Sequence, residues 1–174
     1  MSRENGQRNN SDTEENITQM AMTMKKTALI TGATSGIGEA CARKFAAGGY
    51  NLIITGRSAD RLEEIKTALE AMGAEVVTLA FDVRDAEAAT KAIASLGEGW
   101  QEIDVLINNA GLALGLDKEY EGAPTDWDTM IDTNIKGLLT MTRLVVPGMV
   151  ARNRGHVINI GSVAATCTAP PKPP

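Results

Sequence analysis

Short apolar runs alternate with longer segments in which apolar residues recur at helical spacing. Five of these runs predict β-strands: Thr27–Thr31, Asn51–Thr55, Glu75–Phe81, Ile103–Ile107 and His156–Ile160. The third, Glu75–Phe81, is nearly continuous in its apolar character. Such a run is typical of a strand that is buried on both faces of a parallel sheet.

The segments between the runs predict helices. They begin near Ser35, after Ser58 as an N-cap, at Asp85 and near Thr125. In the second helix the residues on one face are Leu62, Ile65, Leu69 and Met72, and Gly73 is expected to end it. The last helix is the longest. It contains Pro147, which we expect to kink or end it.

This alternation predicts an α/β fold with a doubly wound parallel sheet and right-handed crossovers. In such Rossmann-type sheets, ligands bind beyond the carboxyl ends of the strands. We expect residues 25–166 to form this domain. The polar segment 1–24 predicts a disordered tail, and the proline-rich segment 167–174 predicts an irregular end.

Composition narrows the possible partners. The 174 residues carry a net charge of -5 and no basic tract, which argues against nucleic acid or an anionic membrane. No apolar run reaches the roughly 18 residues of a membrane span. The polar start and only two cysteines favour a cytoplasmic protein with no disulfide framework and no metal site.

A glycine-rich turn follows the first predicted strand and opens the first helix. Its residues are Gly32, Ser35, Gly36, Ile37 and Gly38. Glycines allow a close approach of the backbone, and the N–H groups of a helix start attract phosphate, so the turn predicts a pyrophosphate site. The alternative is that these glycines only allow tight packing of strand and helix.

The type of dinucleotide is indicated where the second strand ends. An Asp or Glu there would accept from the ribose 2′-OH of NAD, but this chain has Arg57 and Ser58. A guanidinium and a hydroxyl suit a 2′-phosphate, and the sequence places no carboxylate nearby, so we predict NADP rather than NAD. The alternative is that Arg57 is a solvated loop charge.

Two further strand ends carry candidate contacts. Asp82 could accept from the adenine amino group while Val83 packs against the ring, although Asp82 is equally expected as a turn or N-cap residue. The amides of Asn108 and Asn109 can line the ribose and hold neighbouring strand ends together.

Taken together, these motifs resemble the classical short-chain dehydrogenase/reductase family. The residues that carry the resemblance are Thr31–Gly38, Asp82-Val83, Asn108–Gly111, Asn134 and Ile158–Ser162, in family order and spacing. Longer matches at residues 108–115, 127–134 and 147–149 resemble the NADP-dependent branch that acts on 3-hydroxy acids, serine and allo-threonine.

The resemblance implies hydride transfer between nicotinamide and a secondary alcohol or ketone in a small-molecule substrate. It implies that Ser162 bonds the substrate oxygen and that Asn134 holds a water in a proton relay. The family also forms homo-oligomers. Its Tyr and Lys acid–base pair would fall at or beyond Pro174. The fold is therefore expected to be incomplete on the carboxyl-terminal side, and the alternative function is NADP(H) binding without turnover.

Overall fold

The computed structural model describes residues 25–115 and 118–162. The predicted tail at 1–24, residues 163–166 of the predicted domain and the proline-rich segment 167–174 lie outside the described residues. Within them, the strands are β1 Thr27–Ile30, β2 Asn51–Gly56, β3 Val76–Ala80, β4 Ile103–Asn108 and β5 His156–Asn159. All pair in parallel in the order β3-β2-β1-β4-β5, which confirms the predicted α/β sheet.

The helices lie between the strands along the chain. They are α1 Gly36–Ala47, α2 Ala59–Glu70, α3 Ala86–Ala94, α4 Pro124–Ile131 and α5 Leu138–Ala151, with a 3-10 turn at Glu119–Glu121. The predicted cap at Ser58 is confirmed, and Asp85, where a helix was predicted to start, also caps its helix. The Ser58 hydroxyl accepts from Arg61 N at 3.3 Å, and Asp85 accepts from the N–H groups of Glu87 and Ala88.

The two faces of the sheet are covered by different helices. Ala28 and Ile30 of β1 face the side where α1 and α2 pack, whereas Leu29 faces the side of α3 and α5. This follows from the alternation of side chains along a strand, which sends neighbouring residues to opposite faces. The sheet is therefore doubly wound, and the chain reverses direction across it between β1 and β4, where ligands bind in such folds.

The prediction that Glu75–Phe81 is buried on both faces is wrong. Strand β3 is an edge of the sheet, so Val77, Thr78 and Leu79 are only partly buried. The prediction for Met72 is also wrong, because α2 ends at Glu70 and Met72 is 43% exposed. Gly73 then turns the chain at a φ of +88°.

The long predicted helix departs from a regular α-helix before Pro147. Pro147 does not end it, because α5 continues to Ala151 with Val145 and Met149 buried on either side of the proline. Instead, a π-helical segment at Asp132–Gly137 lies between α4 and α5. Such segments are rare and occur often at functional sites.

Candidate functional site

The glycine turn after β1 is tight on its inner side and open on its outer side. Gly32 and Gly36 have φ angles of +64° and +55°, in the region that favours glycine. A β-carbon at Gly32 would lie 2.8 Å from Ala110 Cα, and one at Gly38 would overlap the Gly32 carbonyl oxygen. A β-carbon at Gly36, in contrast, would meet nothing within 4 Å. The turn thus forms a cradle at the amino end of α1.

Residues at the end of β4 hold this turn in place. The Asn109 side-chain nitrogen donates to the carbonyl oxygens of Thr31 and Gly32 at 2.9 and 3.0 Å. The Thr31 hydroxyl accepts from the N–H groups of Asn109 and Ala110, both at 3.0 Å. Both hydrogens of the Asn109 amide are therefore used within the protein. Its predicted contact with a ribose stays a prediction.

Asn108 joins the ends of three elements, as its amide predicted. The Asn108 side-chain nitrogen donates to Asn159 Oδ1 of β5 at 2.9 Å and to Thr142 Oγ1 of α5 at 3.1 Å. Directly after β5, Ile160 N donates to the Asn108 carbonyl oxygen at 2.9 Å. These bonds fix the edge of the sheet that precedes Ser162, which is itself exposed.

The loop after β2 lies against the glycine turn. A β-carbon at Gly56 would lie 2.5 Å from Thr34 Cγ2, so the absence of a side chain there allows the two segments to touch. Arg57 and Ser58 follow directly and are exposed. The two predicted phosphate-binding segments are therefore neighbours in space.

Arg61 ties the same region together, and sequence reasoning missed it. Its Nε donates to the Thr34 carbonyl oxygen at 3.2 Å, and its Nη2 pairs with Glu39 of α1 at 3.2 Å. The Arg43 guanidinium, which also bonds Glu39, holds the pKa of that carboxyl below its usual value. Arg61 also pairs with Glu64 within α2, but the partners that join it to α1 and the glycine turn lie 22 and 27 residues away in sequence, so no local pattern marks this role.

Asp82 forms a turn after β3 that Arg84 closes. Its carboxylate accepts from Arg84 N at 3.0 Å and from Arg84 Nη2 at 2.7 Å. Hydrogen bonding from Arg84 lowers the pKa of Asp82, and the charge of Arg57 adds to this. The expectation that no carboxylate lies near Arg57 is therefore wrong, because parallel pairing brings the ends of β2 and β3 together.

Val83 is 8% exposed and packs against the π-helical segment. A β-carbon at Gly137 would lie 2.8 Å from Val83 Cγ2. Little of the Val83 side chain is available to an adenine ring, which leaves the main chain for that predicted contact.

Asn134 lies within the π-helical segment and bonds to the loop after β4. Its Oδ1 accepts from Leu112 N at 2.9 Å, and its Nδ2 donates to the Leu112 carbonyl oxygen at 2.8 Å. These two bonds fasten the loop at Leu112 to the helix. The predicted relay water stays a prediction, and the Asn134 side chain already serves a structural purpose.

Residues 25–115 and 118–162 contain neither a candidate metal site nor a membrane-spanning helix. They contain no group of three or more His, Cys, Asp or Glu side chains that could hold a metal ion. No helix in those same ranges combines the length and the apolar character needed to cross a bilayer.

Comparison with known proteins assigns the family. A family model described as short chain dehydrogenase matches residues 26–173. The chain belongs to the short-chain dehydrogenase family.

Relatives of this chain carry more specific names. A "Probable NADP-dependent dehydrogenase" of Haemophilus influenzae is 55% identical over 140 residues, which are 80% of this chain and 54% of that protein. An "NADP-dependent 3-hydroxy acid dehydrogenase" of Salmonella typhi is 54% identical over 138 residues, or 79% of this chain and 54% of that protein. The chain spans about half the length of these curated relatives.

A solved structure confirms the fold of this family member. The closed form of a serine dehydrogenase complexed with NADP+ superposes with a TM-score of 0.75 at 49% identity. The match covers 81% of this chain and 56% of that one. The doubly wound sheet is therefore the Rossmann-type sheet of the family.

Proposed function

We propose that the described residues form the NADP(H) site of an oxidoreductase that acts on a secondary alcohol or ketone, with a small 3-hydroxy acid as substrate. The observation that carries the proposal is the open cradle at Gly36, which lies beside the loop of Arg57 and Ser58. The names of the relatives support NADP and a hydroxy acid.

The residues fit a dinucleotide. Ser35 makes no capping hydrogen bond to α1, so its hydroxyl is available to a phosphate oxygen at the helix start. We assign the pyrophosphate to Ser35, Gly36 and Ile37, which Gly32 and Gly38 shape. The 2′-phosphate falls to Arg57 and Ser58, where a guanidinium can form charge-assisted bonds.

The remaining assignments follow from the same edge of the sheet. We assign the contacts with adenine and its ribose to Asp82, Val83 and Asn109. We assign the contacts on the substrate side to Ser162 and Asn134. When bound, NADP(H) supplies or accepts the hydride. Asn108 and Asn134 keep the substrate side in place, because Asn108 joins three elements and Asn134 joins the π-helical segment to the loop after β4.

For these 174 residues alone, we propose cofactor binding without turnover. An acid–base tyrosine within these residues would have to be one of two, Tyr50 or Tyr120. Tyr50 packs edge-on against Phe45 with ring centroids 4.9 Å apart. It lies just before the amino end of β2, on the opposite side of the sheet from the carboxyl ends of the strands. Tyr120 is 76% exposed. A steady-state assay with NADP+ and a 3-hydroxy acid should show no NADPH formation, and measurable formation would contradict this part.

Cofactor choice gives the sharper test. Replacing Arg57 with Ala should weaken NADPH binding by about tenfold or more, since bonds to charged groups contribute roughly 1.5–3 kcal/mol. NADH, which lacks the 2′-phosphate, should bind with nearly unchanged affinity. Arg143→Ala is the matched control, because it removes an exposed arginine of α5. Equal losses for both nucleotides would contradict the assignment of NADP.

A further inference from the structure

The ends of β2 and β3 bring opposite charges to one place. Gly56 pairs with Ala80 in the parallel register, and Phe81 N donates to the Gly56 carbonyl oxygen at 2.9 Å. Arg57 comes directly after Gly56, and Asp82 comes directly after Phe81. A 2′-phosphate at Arg57 would thus lie close to a carboxylate.

Arg84 forms an ion pair and hydrogen bonds with the Asp82 carboxylate. Its main-chain N–H donates to Asp82 Oδ1 at 3.0 Å, its Nε reaches both oxygens at 3.1 Å, and its Nη2 donates to Oδ2 at 2.7 Å. The pair is partly exposed, with 39% of the Arg84 and 27% of the Asp82 side chain accessible. The arginine lies only two residues along the chain, so the pair forms within a single turn.

We propose that Arg84 is a specificity-determining residue that favours NADP(H) over NAD(H) by compensating the charge of Asp82. Without Arg84, the carboxylate would repel a 2′-phosphate and would compete for the Arg57 guanidinium. NADH carries no 2′-phosphate and would not be affected in this way. The inference rests on the proposed function, since it assumes that a dinucleotide occupies this edge of the sheet.

Charge rather than hydrogen bonding is the core of the proposal. Arg84→Lys keeps the positive charge and loses the guanidinium fork, so this variant should retain most of the preference for NADPH. Arg84→Gln removes the charge and should lose it. Because the groups are partly exposed, the effect should be largest at low salt, where screening is weakest.

The experiment measures dissociation constants of NADPH and NADH by fluorescence titration of the full chain in low-salt buffer. Arg84→Gln should raise the NADPH constant about threefold or more, as expected for a partly exposed charge, and leave the NADH constant unchanged. The double variant Asp82→Asn, Arg84→Gln should restore the ratio of the two constants, because the uncompensated charge is gone. Lys91→Gln is the control, since it removes an exposed lysine of α3 that pairs with Glu87.

The outcomes separate the two proposals. If the wild-type chain prefers NADPH but Arg84→Gln weakens both nucleotides equally, or the double variant keeps the lost ratio, the role of Arg84 is wrong and the proposed function stands. If the wild-type chain binds neither nucleotide, or binds both equally, the proposed function is wrong and this inference with it. Thermal melts of every variant show that the comparison is made on folded protein.

Discussion

Asn109 donates to Thr31 twice, from its main-chain nitrogen to Thr31 Oγ1 at 3.0 Å and from its side-chain nitrogen to the Thr31 carbonyl oxygen at 2.9 Å. The two residues are 78 positions apart in sequence and end neighbouring strands. The conformation of the glycine turn therefore depends on β4 as well as on its own glycines. A cofactor site built this way forms only when the sheet has formed.

Loss of the Thr31 hydroxyl should destabilise the fold. Thr31 is 2% exposed, and Thr31→Val leaves the N–H groups of Asn109 and Ala110 without their acceptor. We expect the free energy of unfolding to fall by about 2 kcal/mol, as for buried donors that lose a partner. Urea denaturation measures this change.

Thr55→Val is the matched control for that experiment. The Thr55 hydroxyl is fully buried and has no hydrogen-bond partner in the described part of the chain. Its removal should leave stability unchanged or raise it by up to about 1 kcal/mol, because an unpaired buried hydroxyl is unfavourable. Similar losses in the two variants would contradict the role given to Thr31.

Gly38 should not tolerate even a methyl group. In Gly38→Ala the β-carbon would overlap the Gly32 carbonyl oxygen and lie 2.5 Å from Asn109 Nδ2. Overpacking of this kind destabilises by about 2 kcal/mol or more, despite the better helix propensity of alanine. Gly97→Ala, where a β-carbon meets nothing within 4 Å, should change stability by less than about 0.5 kcal/mol. Equal effects in thermal melts would show that the turn can relax.

The sequence was sufficient for the sheet, because periodicity and capping residues act locally. Ser58 caps its helix as predicted, a helix starts at Asp85 as predicted, and the strands fall within a residue or two of their expected bounds. It was insufficient where distant segments decide the result. The edge position of β3 depends on strand order, which hydrophobicity does not encode.

In the candidate site, too, local features could be predicted from the sequence and long-range contacts could not. The glycines are recognisable from their spacing. The structure adds which atoms, if any, a β-carbon at each of them would clash with. The long-range partners of Arg61 and the compensation of Asp82 by Arg84 depend on side chains that meet only in the folded chain. The packing of Gly137, in the π-helical segment around Asn134, against Val83 likewise joins distant parts of the chain.

Asn134→Ala should loosen the loop after β4. The variant removes both bonds to the main chain of Leu112, and the exposed position lets water replace part of what is lost. We expect only about 1 kcal/mol of global destabilisation. The Leu112 amide should exchange its hydrogen roughly tenfold faster, since local opening becomes easier.

The control for Asn134 lies in the same segment. Lys136→Ala removes the exposed ion pair with Asp132 and does not touch Leu112. It should leave exchange at Leu112 unchanged. A faster rate in both variants would mean that the segment as a whole, rather than the Asn134 amide, restrains the loop.

Acid should weaken the fold partly through Asp82. Arg84 lowers the pKa of this carboxyl in the folded state, so the ion pair contributes stability that is complete above the usual pKa of about 3.9. That contribution is lost as pH falls below this value and through the lowered pKa. The stability difference between wild type and Asp82→Asn should therefore shrink from pH 6 toward about pH 2.

Unfolding by urea across that pH range measures the difference directly. Glu87→Gln is the control, because Glu87 forms a largely exposed ion pair with Lys91. In that pair 79% of the Glu87 side chain and 75% of the Lys91 side chain are exposed. Such pairs contribute at most about 1 kcal/mol. A wild-type-to-Asp82→Asn difference that stays constant with pH would contradict the linkage.

The most direct test of the NADP(H) assignment is a titration of the 15N-labelled chain with NADP+ and, separately, with NAD+, followed by amide NMR. Both nucleotides should shift the amides of Ser35, Gly36 and Ile37, and only NADP+ should strongly shift those of Arg57 and Ser58. If neither group of amides shifts, or if NAD+ shifts Arg57 and Ser58 as much as NADP+ does, these residues do not form an NADP(H) site.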